Sequence, residues 1–278
     1  MNTPIQKTER RSIVQKFNLY NIYVLGQRLS KLDGITPETK LSDITLNIYY
    51  ARLSLDEMVS NISPLLDTSK RAVRSLLDSI NIIFPEGGNP FSDEFKEKTV
   101  DFRSYAIITA KQALESVLGN DMPGISAYLV SQKGIYRTDD LISHADQYFP
   151  SSIRVSIPEQ AKKDLIEAGK CLAYEVPTAC SFHLWRSVET VMAAYYKKLA
   201  GKEFSDDGVT RNWAAYIKAL NDKGADAKIT QFLDHIRQEY RNPQTHPEAM
   251  LEVNEALALF GVAMSVIHQM VSAIQKLP

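Results

Sequence analysis

The C-terminal segment from Pro247 to Lys276 carries apolar residues mostly three or four positions apart, the periodicity of an α-helix with one apolar face. A helix of this length, roughly 30 residues, extends about 45 Å. Its apolar stripe is wide, as is typical of a helix at the centre of a bundle. The stripe consists of Val253, Ala256, Leu257, Phe260, Met264, Ile267, Met270, Val271 and Ile274. We therefore expect a helical bundle built on this segment.

The same spacing recurs through most of the chain, and the twelve Gly and twelve Pro lie mainly between the periodic blocks. Strand-like alternation is confined to Ile125–Gln132, with a turn at Lys133-Gly134 before Ile135-Tyr136. The predicted fold class is all-α: an antiparallel helical bundle, preceded by a second helical region with one candidate short β-hairpin. Helices are expected near residues 13–32, 46–58, 73–83, 92–118, 158–174, 177–199, 209–220, 225–240 and 247–276, with another beginning at Thr138.

The domain boundary is placed in the connector from Phe149-Pro150 to Ser156. Residues 1–150 are expected to form a helical N-terminal region to which the sequence assigns no role. Residues 151–278 are expected to form the helical bundle.

The charges of the chain are balanced, with 32 Lys and Arg against 33 Asp and Glu and a net charge of −1. The field of the whole protein therefore attracts polyanions little, and a small local cluster must hold any nucleic acid. This balance argues against a broad duplex-binding surface. The chain also carries no P-loop, dinucleotide fingerprint, HExxH or G-x-S-x-G motif, so no cofactor is expected.

Two cysteines, Cys171 and Cys180, cannot build a disulfide framework. The first thirty residues lack the apolar run and cleavage site of a signal peptide. The longest apolar stretch, Ala256 to Ile267, is interrupted by Gly261 and Ser265 and is shorter than the roughly 20 residues that span a bilayer. We therefore expect a cytoplasmic protein without a membrane partner.

The chain between the last two predicted helices breaks and restarts. Pro243 should end the incoming helix, because its ring clashes with a continuing turn. Thr245 and Glu248 have the spacing of a capping box for the next helix, and Pro247 fits the first turn of that helix. A junction of two helices is therefore expected here.

Three side chains at this junction, those of Arg241, Asn242 and His246, suit a phosphodiester. Histidine moves protons near neutral pH, arginine offers a fork of donors to phosphate oxygens, and asparagine can orient either one. Cleavage of RNA through its own 2′-hydroxyl needs only these groups and no metal. We take these three residues as the candidate catalytic set.

The order Arg241-Asn242-x3-His246 before a long final helix resembles the Arg-polar-x(3–5)-His signature of the HEPN superfamily, the higher eukaryotes and prokaryotes nucleotide-binding domains. The stretch Cys180–Tyr196 is also similar to bacterial HEPN-like proteins of unassigned function. The resemblance covers about residues 157–278. It implies a helical bundle, a homodimer and, in active members, a metal-independent endoribonuclease with a site shared by two protomers. It further implies a toxin or phage-defence effector, with an RNA substrate or a nucleotide and an antitoxin or regulatory protein as partners.

Two alternatives stay open. Many HEPN members bind a nucleotide, RNA or a protein without cleaving anything, and Arg241 would then be only an anion contact. In a purely structural reading, Arg241 and Asn242 hydrogen-bond the end of a helix and His246 faces water.

His183, Arg186 and Glu189 follow one another at i, i+3 and i+6, so they are candidate supporting residues that could approach the junction. The alternative for these three is a buried polar cluster or a surface ion pair. Cys171, Cys180 and His183 supply three metal ligands without a fourth, so no metal site is predicted.

Overall fold

The computed structural model describes residues 18–61, 67–84, 97–204, 212–245 and 250–278. These residues form helices and connecting turns without any strand, so the predicted all-α class is confirmed. The chain divides into two compact units, Met1–Ala127 and Tyr128–Pro278.

Among its described residues, the first unit has four long helices around one apolar core. They are α1 Leu19–Ser30, α2 Leu41–Asn61, α3 Asp67–Ile83 and α4 Arg103–Asp121. Leu32, Leu55, Leu76 and Leu114 are fully buried in this core. The ammonium group of Lys111, a side chain only 4% exposed, pairs with Asp33 and Glu115. A lysine therefore lies in this core with its single positive charge paired to two carboxylates.

Helix α4 starts later than the pattern predicts. The sequence predicts a helix that begins at Ser92, but the residues just before α4, from residue 97 to Phe102, are non-helical. The prediction is wrong for these residues. Asp101 has a φ of +57° and its carboxylate accepts the backbone N–H of Arg103 at 3.0 Å. This left-handed residue interrupts the helical backbone. The helix also ends later than the predicted residue 118, because α4 continues to Asp121.

The second unit contains the helices of the expected bundle. They are α5 Thr138–Ser143, α6 Ser151–Arg154, α7 Glu159–Ala173, α8 Pro177–Ala200, α9 Trp213–Asp222, α10 Ala227–Ile236 and α11 Val253–Lys276. Helix α8 packs against both α7 and α11. Leu141, Ala145 and Phe149 are buried in the same core, so residues before the sequence-based boundary at 150 belong to this unit.

The candidate β-hairpin at residues 125–136 is not formed. Lys133 and Tyr136 make one isolated antiparallel bridge around Gly134, whose φ is +56°. Tyr128 and Leu129, neighbours that would lie on opposite faces of a strand, are 84% and 99% exposed, so neither face is buried at this point. Alternation forms a stable strand only when one face packs against the protein.

Helix α11 begins at Val253 rather than at the predicted Pro247. Its capping box uses Glu252 and Glu255: the Glu255 carboxylate accepts the backbone N–H of Glu252 at 2.8 Å. Thr245, expected to cap this helix, instead ends a short 3-10 turn, and Glu248 lies outside the described residues. The predicted capping box is therefore wrong, because another pair with the same spacing takes its place.

Helix α11 is long and apolar enough to cross a membrane by length and composition. Eight of its residues are buried in the core of the second unit, including Phe260, Ile267 and Met270. These three belong to the apolar stripe that the sequence predicts, and they pack in the same core as residues of α8.

Candidate functional site

The candidate site lies where α10 ends. Residues Arg237–Arg241 form a π-helical turn, and the backbone N–H of Asn242 donates to the carbonyl of Arg237 at 3.0 Å. A 3-10 turn, Pro243–Thr245, follows at once. The helix thus ends at Arg241-Asn242, as Pro243 predicts. Single π turns within helices are often found at functional sites.

Arg241 is held on one side of this turn. Its guanidinium carbon lies 5.9 Å from the centre of the Trp213 ring. Its Nη1 donates to Oδ1 of Asn242 at 3.4 Å. Among the described residues Arg241 is half-buried and forms no ion pair. A flat guanidinium on an aromatic face keeps its outward N–H groups available to an anion.

Trp213 is fully buried at the start of α9, where Asn212 caps the helix. Its indole Nε1 donates to Oε2 of Glu189 on α8 at 3.2 Å. Its ring meets the ring of Trp185 edge to face, with centres 6.0 Å apart. The residue beneath Arg241 is therefore fixed by a hydrogen bond and by aromatic packing.

Trp185 links α8 to the 3-10 turn directly. Its Nε1 donates to Oε1 of Gln244 at 2.8 Å. Both tryptophans are buried in the core, and the spacing of apolar residues in the sequence does not reveal their polar contacts. An indole in a core always brings an N–H that needs an acceptor, which is the signal that could have indicated these links.

The structure thus brings together two of the three candidate catalytic residues, Arg241 and Asn242. His246 lies outside the described residues. The catalytic role of His246 stays a prediction from the sequence.

The three candidate supporting residues separate into two groups. Glu189 accepts from Trp213 and so supports the surface beneath Arg241. His183 and Arg186 instead contact Asp164 of α7, whose side chain is 4% exposed. Sequence reasoning did not find Asp164. The signal that could have found it is a charged residue on the apolar stripe of α7, between Ala161 and Leu165.

Within the part of the chain that the structure describes, no group of three or more His, Cys, Asp or Glu side chains is placed to hold a metal ion. Burial raises the pKa of the Cys180 thiol to about 12. Burial also raises the pKa of Cys171. Both thiols are therefore protonated and weakly nucleophilic at neutral pH.

The arrangement can bind one anionic oxygen group through Arg241, with its position set by Trp213 and Asn242. A guanidinium fixed in this way can stabilise charge that develops on a phosphate. Comparison with known proteins finds no family model, no curated protein and no solved structure that matches this chain.

Proposed function

We propose that this chain is a metal-independent endoribonuclease of the HEPN type. The observation that carries the proposal is the position of Arg241, which stacks on a buried tryptophan beside Asn242 without an ion pair among the described residues. A guanidinium in this position keeps N–H groups that can donate to the oxygens of a phosphate. The signature Arg241-Asn242-x3-His246 adds a proton-transfer group three residues beyond the turn's proline.

In the proposed reaction, the 2′-oxygen of the RNA attacks the adjacent phosphorus and the bond from phosphorus to the 5′-oxygen breaks. The 2′-hydroxyl loses a proton to a base, and the leaving 5′-oxygen gains one from an acid. The products are a 2′,3′-cyclic phosphate and a 5′-hydroxyl. His246 acts in proton transfer, Arg241 binds the non-bridging oxygens, and Asn242 orients Arg241.

The proposal includes a homodimer, as the HEPN resemblance implies. The reaction needs an acid and a base, and each chain supplies one histidine in the signature. Two copies of the site in contact would supply both. We expect the purified protein to have twice the chain mass of 31.3 kDa. Light scattering coupled to size-exclusion chromatography measures this mass, and a monomer that cleaves RNA would contradict the shared site.

The direct test is incubation of the purified protein with cellular RNA in excess EDTA. We expect cleavage that leaves 2′,3′-cyclic phosphates, identified by sequencing the ends before and after phosphatase treatment. The control is a variant with both Arg241→Gln and His246→Ala, purified in the same way. Any cleavage by this variant comes from a contaminating ribonuclease. If the protein retains RNA but forms no product, the nuclease is wrong and a binding module takes its place. If the protein neither retains nor cleaves RNA, a structural dimer is favoured.

The proposal includes a role as a toxin or phage-defence effector in the cytoplasm. Cleavage of cellular RNA needs control, so we include an antitoxin or another regulatory protein as a partner. Residues 1–127 form a compact unit of their own, and we assign the contact with such a partner to that unit.

A further inference from the structure

A second polar cluster joins α7 to α8, the helix that also carries Glu189. Oδ1 of the buried Asp164 accepts from Nδ1 of His183 at 3.0 Å and lies 3.2 Å from Nε of Arg186. Its other oxygen accepts from Gln160 at 3.0 Å. The carboxylate thus holds two side chains of α8 in fixed positions.

These contacts leave the outer ends of both side chains available. The carboxylate engages Nδ1 of His183, so Nε2 is the nitrogen that faces away from Asp164, and the side chain is 26% exposed. Arg186 uses Nε on Asp164, its side chain is 50% exposed, and its Nη groups contact no other carboxylate among the described residues. The Nη groups of Arg186 are therefore donors for phosphate oxygens. Nε2 of His183 lies one helical turn away and is a second donor in the imidazolium form of the ring, because Nδ1 then still carries the hydrogen that Asp164 accepts.

Phe182 stands beside this pair and is 59% exposed. The guanidinium carbon of Arg186 lies 5.6 Å from the centre of its ring. The His183 ring meets it edge to face at 5.7 Å. An exposed aromatic face next to phosphate-binding groups is the arrangement with which proteins hold unpaired bases.

We propose that Phe182, His183 and Arg186 form a nucleotide-binding subsite for single-stranded RNA. Phe182 stacks on a base, while Arg186 and the imidazolium form of His183, through Nε2, bind a neighbouring phosphate. Asp164 is a positioning residue that holds both. The net charge of −1 gives RNA no long-range attraction, so binding depends on local clusters of this kind. The choice of RNA as the ligand rests on the function proposed above.

The test measures binding of a 2′-O-methyl oligoribonucleotide, which lacks the attacking hydroxyl, by fluorescence anisotropy at fixed salt. Phe182→Ser should raise the dissociation constant about tenfold, and Phe182→Tyr should leave it within about twofold, because tyrosine also stacks. Arg186→Gln should raise it about tenfold. Lys197→Gln removes one positive charge from the same helix, where Lys197 pairs with Glu203 at 3.0 Å, and should change the constant less than about twofold.

The outcomes separate this subsite from the nuclease. Equal binding by the Ser and Tyr variants of Phe182, or an Arg186→Gln effect no larger than that of Lys197→Gln, overturns the subsite even where RNA is cleaved. A wild type that does not bind the oligonucleotide overturns it as well. If the variants show the expected pattern of binding but the wild type does not cleave natural RNA, the subsite is supported and the nuclease is contradicted. Because Phe182 is exposed, its variants should keep the wild-type circular dichroism and melting temperature.

Discussion

Replacing Arg241 with Gln is expected to slow RNA cleavage by about 100- to 1,000-fold, the loss typical when a donor to developing negative charge is removed. Gln cannot present the charged fork that Trp213 and Asn242 now hold. The single-turnover rate constant at saturating protein measures the effect, because it separates the chemical step from binding. His246→Ala should slow the same step by about 100- to 10,000-fold, the range for loss of a general acid or base.

The matched control for Arg241 lies at the other end of the same π turn. Arg237 pairs with Asp234 through its Nε and Nη2, each 2.9 Å from Oδ1. Because the carboxylate already occupies this guanidinium, Arg237→Gln should leave the rate constant within about threefold of wild type. Equal losses in the two variants would mean that the site responds to general charge or to folding of the turn. In that case the assigned role of Arg241 would be wrong.

The ends of some helices could be predicted closely from local sequence. The pattern places α8 at residues 177–199, and the helix spans Pro177–Ala200. Pro177 suits the first turn because it has no backbone N–H, and an N–H in that turn would have no partner within the helix. Gly201 adopts a φ of +68°, which ends the helix. Both signals act within one or two residues of the helix end, so they can be read without the fold.

The start of α11 could not be predicted in the same way. Thr245/Glu248 and Glu252/Glu255 have the same spacing, and the chain uses the second pair. Asp101 was missed at the start of α4 because its positive φ leaves no mark in the periodicity of apolar residues. Local patterns of this kind give several acceptable starts, and packing of the helix selects one.

The candidate site was predicted in part. Pro243 correctly indicates the break after Arg241-Asn242. The surface beneath Arg241 was not predictable, because Trp213 and its acceptor Glu189 are 24 residues apart in sequence. The contact of Trp185 with Gln244 spans 59 residues. Such contacts arise only when α8, α9 and the 3-10 turn have packed, whereas the break depends on proline stereochemistry alone.

Gly169→Ala is expected to destabilise the second unit by about 2–3 kcal/mol, within the usual cost of overpacking a core. Gly169 lies on α7 where α5 passes closest. A Cβ added there would lie 2.8 Å from Cβ of Ala145 and nearer still to the backbone carbonyl of Leu141. Backbone cannot move aside as a flexible side chain can, so α5 and α7 must separate. Urea unfolding followed by tryptophan fluorescence measures the change, because both tryptophans of the chain, Trp185 and Trp213, belong to this unit.

The same substitution at Gly261 should have the opposite sign. Gly261 lies inside α11. Among the described residues, a Cβ there would meet only the Tyr136 hydroxyl at 3.8 Å, an ordinary contact. Alanine in an unhindered helix interior is more favourable than glycine by up to about 1 kcal/mol. Gly261→Ala should therefore raise the urea midpoint while Gly169→Ala lowers it. A higher midpoint in both variants would show that α5 does not approach α7 as closely as the structure places it, since the gain in helix propensity would then be unopposed at both positions.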